Sequence, residues 1–191
     1  MFLLAVLLVN TLFLSGTFAD HGTGQCHRQC PPFWTRFQDN CYRFFGSVKN
    51  WANAEAHCNE FFTDTAQGHL VSIHSKTESD FVYKLWHDSL LVSSQLLCTF
   101  SGNTGASPLV TIHLGLTDAA VEGVFVWTDG SPTDYNEWGL NQPDNVAAGV
   151  GEDCTKWIDE SVNVSFKPWN DLRCDSVVLS PYVCMLKLDD N

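Results

Sequence analysis

Two early stretches of the chain carry apolar residues at helical spacing. In residues 50–62, NWANAEAHCNEFF, the positions Trp51, Ala54, Cys58 and Phe61 share one face, and Asn50 stands where a cap is needed. Ser75-Lys76-Thr77-Glu78 has the form of a capping box, and Phe81, Val82, Leu85 and Trp86 follow on one face of a second predicted helix. Residues 31–45, PPFWTRFQDNCYRFF, are aromatic-rich with a polar break at Gln38-Asp39-Asn40, which predicts two short strands and a turn. Residues 93–108 are rich in Ser, Gly and Thr and read as a loop. The segments TIHLGL and VFVWTDG, then Cys154–Ile158 and residues 182–186, predict a strand-rich second half. Residues 130–151 hold two prolines, four glycines and many Asp and Asn, so their backbone belongs at the surface. Helices first and strands after them give an α+β class with one long loop.

The first 19 residues add a destination. An apolar run over residues 2–14, too short to span a bilayer, ends in small residues, with Thr17 and Ala19 at the −3 and −1 positions of a signal-peptidase site. A basic residue before the run is missing; a buried N-terminal helix is the alternative. Residues 20–29 then form a short extension, and 30–187 the domain of an exported, extracellular protein. Eight cysteines in such a chain imply a disulfide framework, which spacing alone does not connect. A net charge of −12 disfavours nucleic-acid and anionic-membrane partners. No HExxH pair and no GxSxG is present, so these protease and esterase signatures are missing.

Oxygen donors gather in and around the long loop. Gln142-Pro143-Asp144-Asn145 is followed by Glu152-Asp153 before Cys154, and by Asn170-Asp171 before Cys174. Calcium takes six to eight oxygens from carboxylates, amides, backbone and water, and these residues supply that mixture. A solvated acidic loop is the alternative that composition leaves open.

The ordered motifs CPPFW…CYRFF, W-x-x-A-x-x-x-C, GHLVSIHS, HLGLTD, FVWTDG, QPDN, GEDC, WND and PYVC resemble the C-type lectin domain over residues 30–186. The resemblance implies two helices flanking two small antiparallel sheets, with a calcium-bearing loop on top. It implies disulfides Cys30–Cys41, Cys58–Cys184 and Cys154–Cys174, leaving Cys26 and Cys98 outside the pattern and available for one intramolecular bond or for a disulfide-linked homo-oligomer.

The same resemblance assigns a sugar-binding Ca²⁺ to Gln142, Asp144, Glu152, Asn170 and Asp171, with a cis Pro143. Two sugar hydroxyls would complete its coordination. An amide first and an acid second, Gln-Pro-Asp, matches galactose-type members, although residues 145–150 lack the aromatic ring such members tend to offer, so Trp138 or Trp157 would have to reach the sugar. An auxiliary calcium would use Asp118, Glu122, Asn145 and Asp153 with the carbonyl of Glu152. The implied partners are glycans on cell surfaces or glycoproteins, and the competing function is a module of the same fold that recognises protein, ice or mineral. Asn163-Val164-Ser165 is a glycosylation sequon. Cys26-His27-x-x-Cys30 is a weak zinc pattern against the disulfide reading. His113 stands where the family often has Trp and is expected to be buried; Trp51, Trp86 and Trp127 are expected in the core, with Trp169 beneath the calcium ligands.

Overall fold

The computed structural model describes residues 29–97, 111–146, 151–158, 168–175 and 179–188, with the backbone alone for 91–97. The signal-peptide reading, Cys26, Cys98 and Asn163 lie outside the described residues.

The chain starts with a hairpin, β1 (Thr35–Phe37) and β2 (Asn40–Lys49), turning at Gln38 and Asp39. Helix α1 spans Trp51–Cys58, and the Asn53 N–H donates to Asn50 Oδ1 at 2.9 Å as the cap. It stops three residues short of Phe61. Asn59 is diverted to Gly68 O at 3.1 Å, and Gly68 N–H donates to Phe61 O at 2.8 Å, so the chain turns into β3 (His69–Leu70). Phe61 still packs on Trp34 and Phe45.

Helix α2 covers Lys76–Leu97 and therefore runs through residues 93–97, which the sequence suggests as loop. Ser93-Ser94-Gln95-Leu96-Leu97 contains no glycine or proline to end a helix, and the first glycine comes at 102. Its start is capped by Ser75 Oγ, which accepts from Glu78 N–H at 3.2 Å. The reciprocal half of the box is not made. Glu78 is buried and instead accepts the Tyr42 hydroxyl at 2.5 Å and the His74 N–H at 2.7 Å, which locks the helix to β2.

The second half supplies β4 (Thr111–Thr117), β5 (Val126–Trp127), β6 (Cys154–Ile158), β7 (Trp169–Leu172) and β8 (Ser180–Lys187). The two expected antiparallel sheets are joined. The strands follow the order β1-β2-β8-β4-β6-β7, with β3 on β8 and β5 on β4, because β4 meets β8 in parallel at His113↔Tyr182. Gly115 permits the close approach of β4 to residue 70, since a Cβ there would stand 2.6 Å from Leu70 O.

Large aromatics fill the interior. Trp86, Trp127, Trp157 and Trp169 share one fully buried cluster with Ile112, Leu114 and Leu116. A second cluster packs Trp34, Trp51 and Ala54 around the sulfurs of Cys58–Cys184. Truncating any of these tryptophans to Ala costs about 3–5 kcal/mol. Cys58–Cys184 ties α1 to β8, Cys154–Cys174 ties the start of β6 to the end of β7, and Cys30–Cys41 closes the N-terminal hairpin. His113 is fully buried with Nε2 donating to Lys49 O at 2.9 Å, and burial pushes its imidazole down to about 4, so it stays neutral.

Candidate functional site

The long loop is tied down along its length before it reaches the acidic residues. Ser72 Oγ donates to Asp129 Oδ2 at 2.7 Å, His74 Nδ1 lies 3.2 Å from Asp134, and Ser79 Oγ donates to Glu137 Oε2 at 2.5 Å. Trp169 N–H donates to Glu137 O and Gly139 N–H to Trp169 O, both at 2.8 Å. Tyr135, Trp138 and Trp127 pack edge-on around Trp169, so that ring supports the loop from below.

From there the backbone makes a compact turn. Asn141 and Asn145 adopt left-handed φ angles of 62° and 51°, which asparagine tolerates well. The Gln142–Pro143 peptide between them is cis. Behind this turn stands Asp171 of β7, 1% exposed, whose carboxylate accepts the N–H groups of Asp144 at 3.2 Å and Asn145 at 2.8 Å. Val146 N–H reaches both Asp144 Oδ1 at 3.3 Å and Glu152 Oε2 at 3.2 Å, and Glu152 N–H donates to Asn145 Oδ1 at 2.6 Å.

The result is three carboxylates, Asp144, Glu152 and Asp171, each offering one oxygen within 4.8 Å of the others. Burial and then the Asp171 charge push the Glu152 carboxyl above its ordinary range; Asp144 adds to this and the Val146 N–H opposes it. Gln142 Oε1 is buried and has no hydrogen-bond partner among the described residues. An unpaired amide oxygen two residues before Asp144 and the clustered carboxylates are donor types suited to a hard cation. Asn170 stands next to Asp171 in β7 and lines a groove together with Gln142.

Lys156 is a member of this neighbourhood that the motifs did not mark. It pairs in register with Asn170, and burial lowers its ammonium while the Glu152 and Asp171 charges raise it. The segment Cys-Thr-Lys-Trp-Ile carries no alternating pattern that would have found it, and in the strand Lys156 is half-buried between the buried Thr155 and Trp157.

The auxiliary set is gathered less tightly. Asp118 is 3% exposed; its Oδ2 accepts Gly123 N–H at 2.8 Å, while its Oδ1 is buried without a partner among the described residues. Asp118 N–H donates to Asp153 O at 3.1 Å, and Glu122 is exposed. Among the described residues, Asp118, Glu122 and Asp153 do not make a second cluster like that of Asp144, Glu152 and Asp171.

Trp157 is fully buried beside Trp86 and Tyr83, so it cannot touch a ligand at this site. Trp138 is half-buried against Phe125 and Trp169. A separate polar cavity of about 570 Å³ includes Ser72, His74 and Asp134 in the order of a catalytic relay. Ser72 is fully buried and its hydroxyl is given to Asp129, so the chain of bonds ties the loop rather than presenting a nucleophile.

Comparison with known proteins agrees with this architecture. The lectin C-type domain model matches residues 47–186. This chain belongs to the C-type lectin domain family.

Among curated relatives, echinoidin of Heliocidaris crassispina is 40% identical over 77% of this chain and 90% of its own. The alpha-N-acetylgalactosamine-specific lectin of Patiria pectinifera is 36% identical over 84% of each chain. Among solved structures, the C-type lectin CEL-I of Cucumaria echinata superposes with a TM-score of 0.65 at 30% identity, covering 84% of this chain and 99% of that one. Two of these three relatives are named as lectins, one of them for alpha-N-acetylgalactosamine. No helix among the described residues is long and apolar enough to cross a membrane.

Proposed function

We propose that this C-type lectin domain is a secreted, calcium-dependent carbohydrate-binding protein of the galactose or N-acetylgalactosamine type. The observation that carries the reading is the convergence of one oxygen each from Asp144, Glu152 and Asp171 within 4.8 Å, with a buried, unpaired Gln142 oxygen two residues before Asp144. Gln142, Asp144, Glu152, Asn170 and Asp171 would hold one Ca²⁺, which supplies two coordination positions for adjacent sugar hydroxyls. The amides of Gln142 and Asn170 donate to those hydroxyls, and the carboxylates of Asp144 and Glu152 accept from them. Asp171, spent on two backbone N–H groups, holds the Gln142–Asn145 turn in place rather than reading the sugar.

Charge supports the same arrangement. Three carboxylates against a divalent cation leave about one negative charge, and the half-buried Lys156 stands in the field of Glu152 and Asp171 to offset it. The amide-first, acid-second order at Gln142 and Asp144 favours galactose, and the Patiria pectinifera relative is named for N-acetylgalactosamine. A weaker auxiliary Ca²⁺ would be held by Asp118, Glu122, Asn145, Asp153 and the Glu152 carbonyl, with the free Asp118 Oδ1 as its anchor. Asn163 would be glycosylated, and Cys26 or Cys98 would link chains into an agglutinating oligomer. Retention on immobilised galactose in calcium, with elution by EDTA, tests the reading; passage through the column in calcium counts against it.

A further inference from the structure

We propose that the aromatic end of the N-terminal hairpin is a docking surface for a second copy of this chain, with Phe33 and Phe62 as its anchors. The contact goes beyond the carbohydrate-binding reading and does not depend on it.

Among the described residues, Phe33 and Phe62 are the aromatic side chains left exposed, at 84% and 76%. They belong to one side of the domain. Phe33 precedes Trp34, Phe62 follows Phe61, and the Trp34 and Phe61 rings meet edge-on at 5.2 Å. The Arg43 guanidinium lies 5.5 Å from the Phe33 ring centre and 4.8 Å from that of Phe45, and Phe45 stacks on Phe61 at 5.6 Å. Aromatic and Arg side chains are the types that anchor protein contacts.

Phe33 is held in this position at a conformational cost. Trp34 N–H donates to Pro31 O at 3.1 Å, which closes a turn with Pro32 second and Phe33 third. The Phe33 φ of 71° is the left-handed value that a type II turn needs at its third position, where glycine is the ordinary occupant. A bulky side chain there is an outlier that the turn itself does not call for. Stacking on Arg43 leaves most of the ring open, so the fold alone does not account for it.

Charge and chain position favour a second copy as the occupant. Arg36 pairs in register with Cys41 and shares a face with Arg43, so the Phe33 half of the patch is basic. The exposed Glu60 and Asp64 flank Phe62 and make the other half acidic. A two-fold contact uses the same patch on both copies and sets the basic half of each against the acidic half of the other. Cys26, proposed above to link chains, stands seven residues before Phe33, so a partner joined there would be tethered close to this patch.

The experiment is sedimentation equilibrium of the mature protein carrying Cys26→Ser and Cys98→Ser, which removes both candidates for an interchain disulfide. We expect a reversible dimer at micromolar protein. Phe33→Gly, which gives the turn its ordinary residue, and Phe62→Ser should each weaken it by about tenfold or more. Circular dichroism and thermal melts of both variants should show the fold kept. A monomer at every concentration overturns the second-copy assignment and leaves the patch for a different protein. A dimer that survives both substitutions overturns it by placing the contact elsewhere. Non-reducing electrophoresis of wild type reads the cysteine linkage separately, and no sugar enters either readout, so each proposal can fail alone.

Discussion

Asp171 accepts the backbone N–H of Asn145 at 2.8 Å through one carboxylate oxygen while its other oxygen takes the Asp144 N–H at 3.2 Å. One buried side chain on a sheet strand thereby fixes the turn that carries the other ligands. Asp171→Asn keeps the size and one acceptor but leaves a backbone N–H facing an amide nitrogen. We expect at least a tenfold loss of calcium affinity and a loss of about 1–3 kcal/mol in stability measured without calcium. Calcium titration and urea denaturation of the variant check both. A variant as stable as wild type and with wild-type calcium affinity would show that the turn holds itself.

The donor and acceptor order at Gln142 and Asp144 should set sugar choice. Gln142→Glu with Asp144→Asn exchanges the two roles while keeping both ligands. The double variant is expected to shift from galactose toward mannose-type sugars on a glycan array. An unchanged preference would place specificity elsewhere on the surface.

Protonation should act on the site through Glu152. Its folded carboxyl sits above the ordinary value of 4.5, so the metal-free native state holds a proton that the unfolded chain releases. Metal-free stability from this group therefore falls as pH rises through the window above 4.5, while calcium, which needs the carboxylate, gains affinity over the same rise. His113 works in the opposite sense: with its folded value lowered to about 4, stability drops as pH falls from 6.5 toward 4. Thermal melts with and without calcium between pH 4 and about 7 should diverge as pH increases, and Glu152→Gln should narrow the divergence. An NMR titration of the His113 ring should give a midpoint near 4; a midpoint near 6.5 would contradict its burial.

Much of this was legible in the chain, for reasons that differ by residue. Asn50 and Ser75 announce their helices because capping is local chemistry, and both caps are made. Gln142, Asp144, Glu152 and Asp171 are legible as oxygen donors, but their convergence depends on β7 lying behind the loop. That strand and the two-residue β3 escaped notice because neither has room for an alternating pattern. The joining of the sheets rests on the single parallel pairing His113↔Tyr182, a long-range contact with no local signature. The overrun of α2 into residues 93–97 shows a polar stretch staying helical where nothing stops it. Trp157 was eligible as a sugar contact only while its burial was unknown.

Cys26 and Cys98 stand outside the three disulfides and should make covalent links between chains. Linked sites can raise avidity by about 10²- to 10⁴-fold without a new contact. Non-reducing electrophoresis is expected to give a dimer or larger species that agglutinates cells. A monomer band with Cys26 joined to Cys98 in peptide maps would rule out covalent assembly.

Asp144, Glu152 and Asp171 should serve a cation through which sugar is held. Calorimetric titration of galactose or N-acetylgalactosamine into the protein, with calcium and then with excess EDTA, tests it most directly. Calcium in extracellular modules binds with a Kd on the order of 10⁻⁴ to 10⁻³ M, so millimolar calcium suffices. Sugar heats present in calcium, absent in EDTA and restored by fresh calcium are the predicted result. Undiminished sugar binding in EDTA would contradict the account.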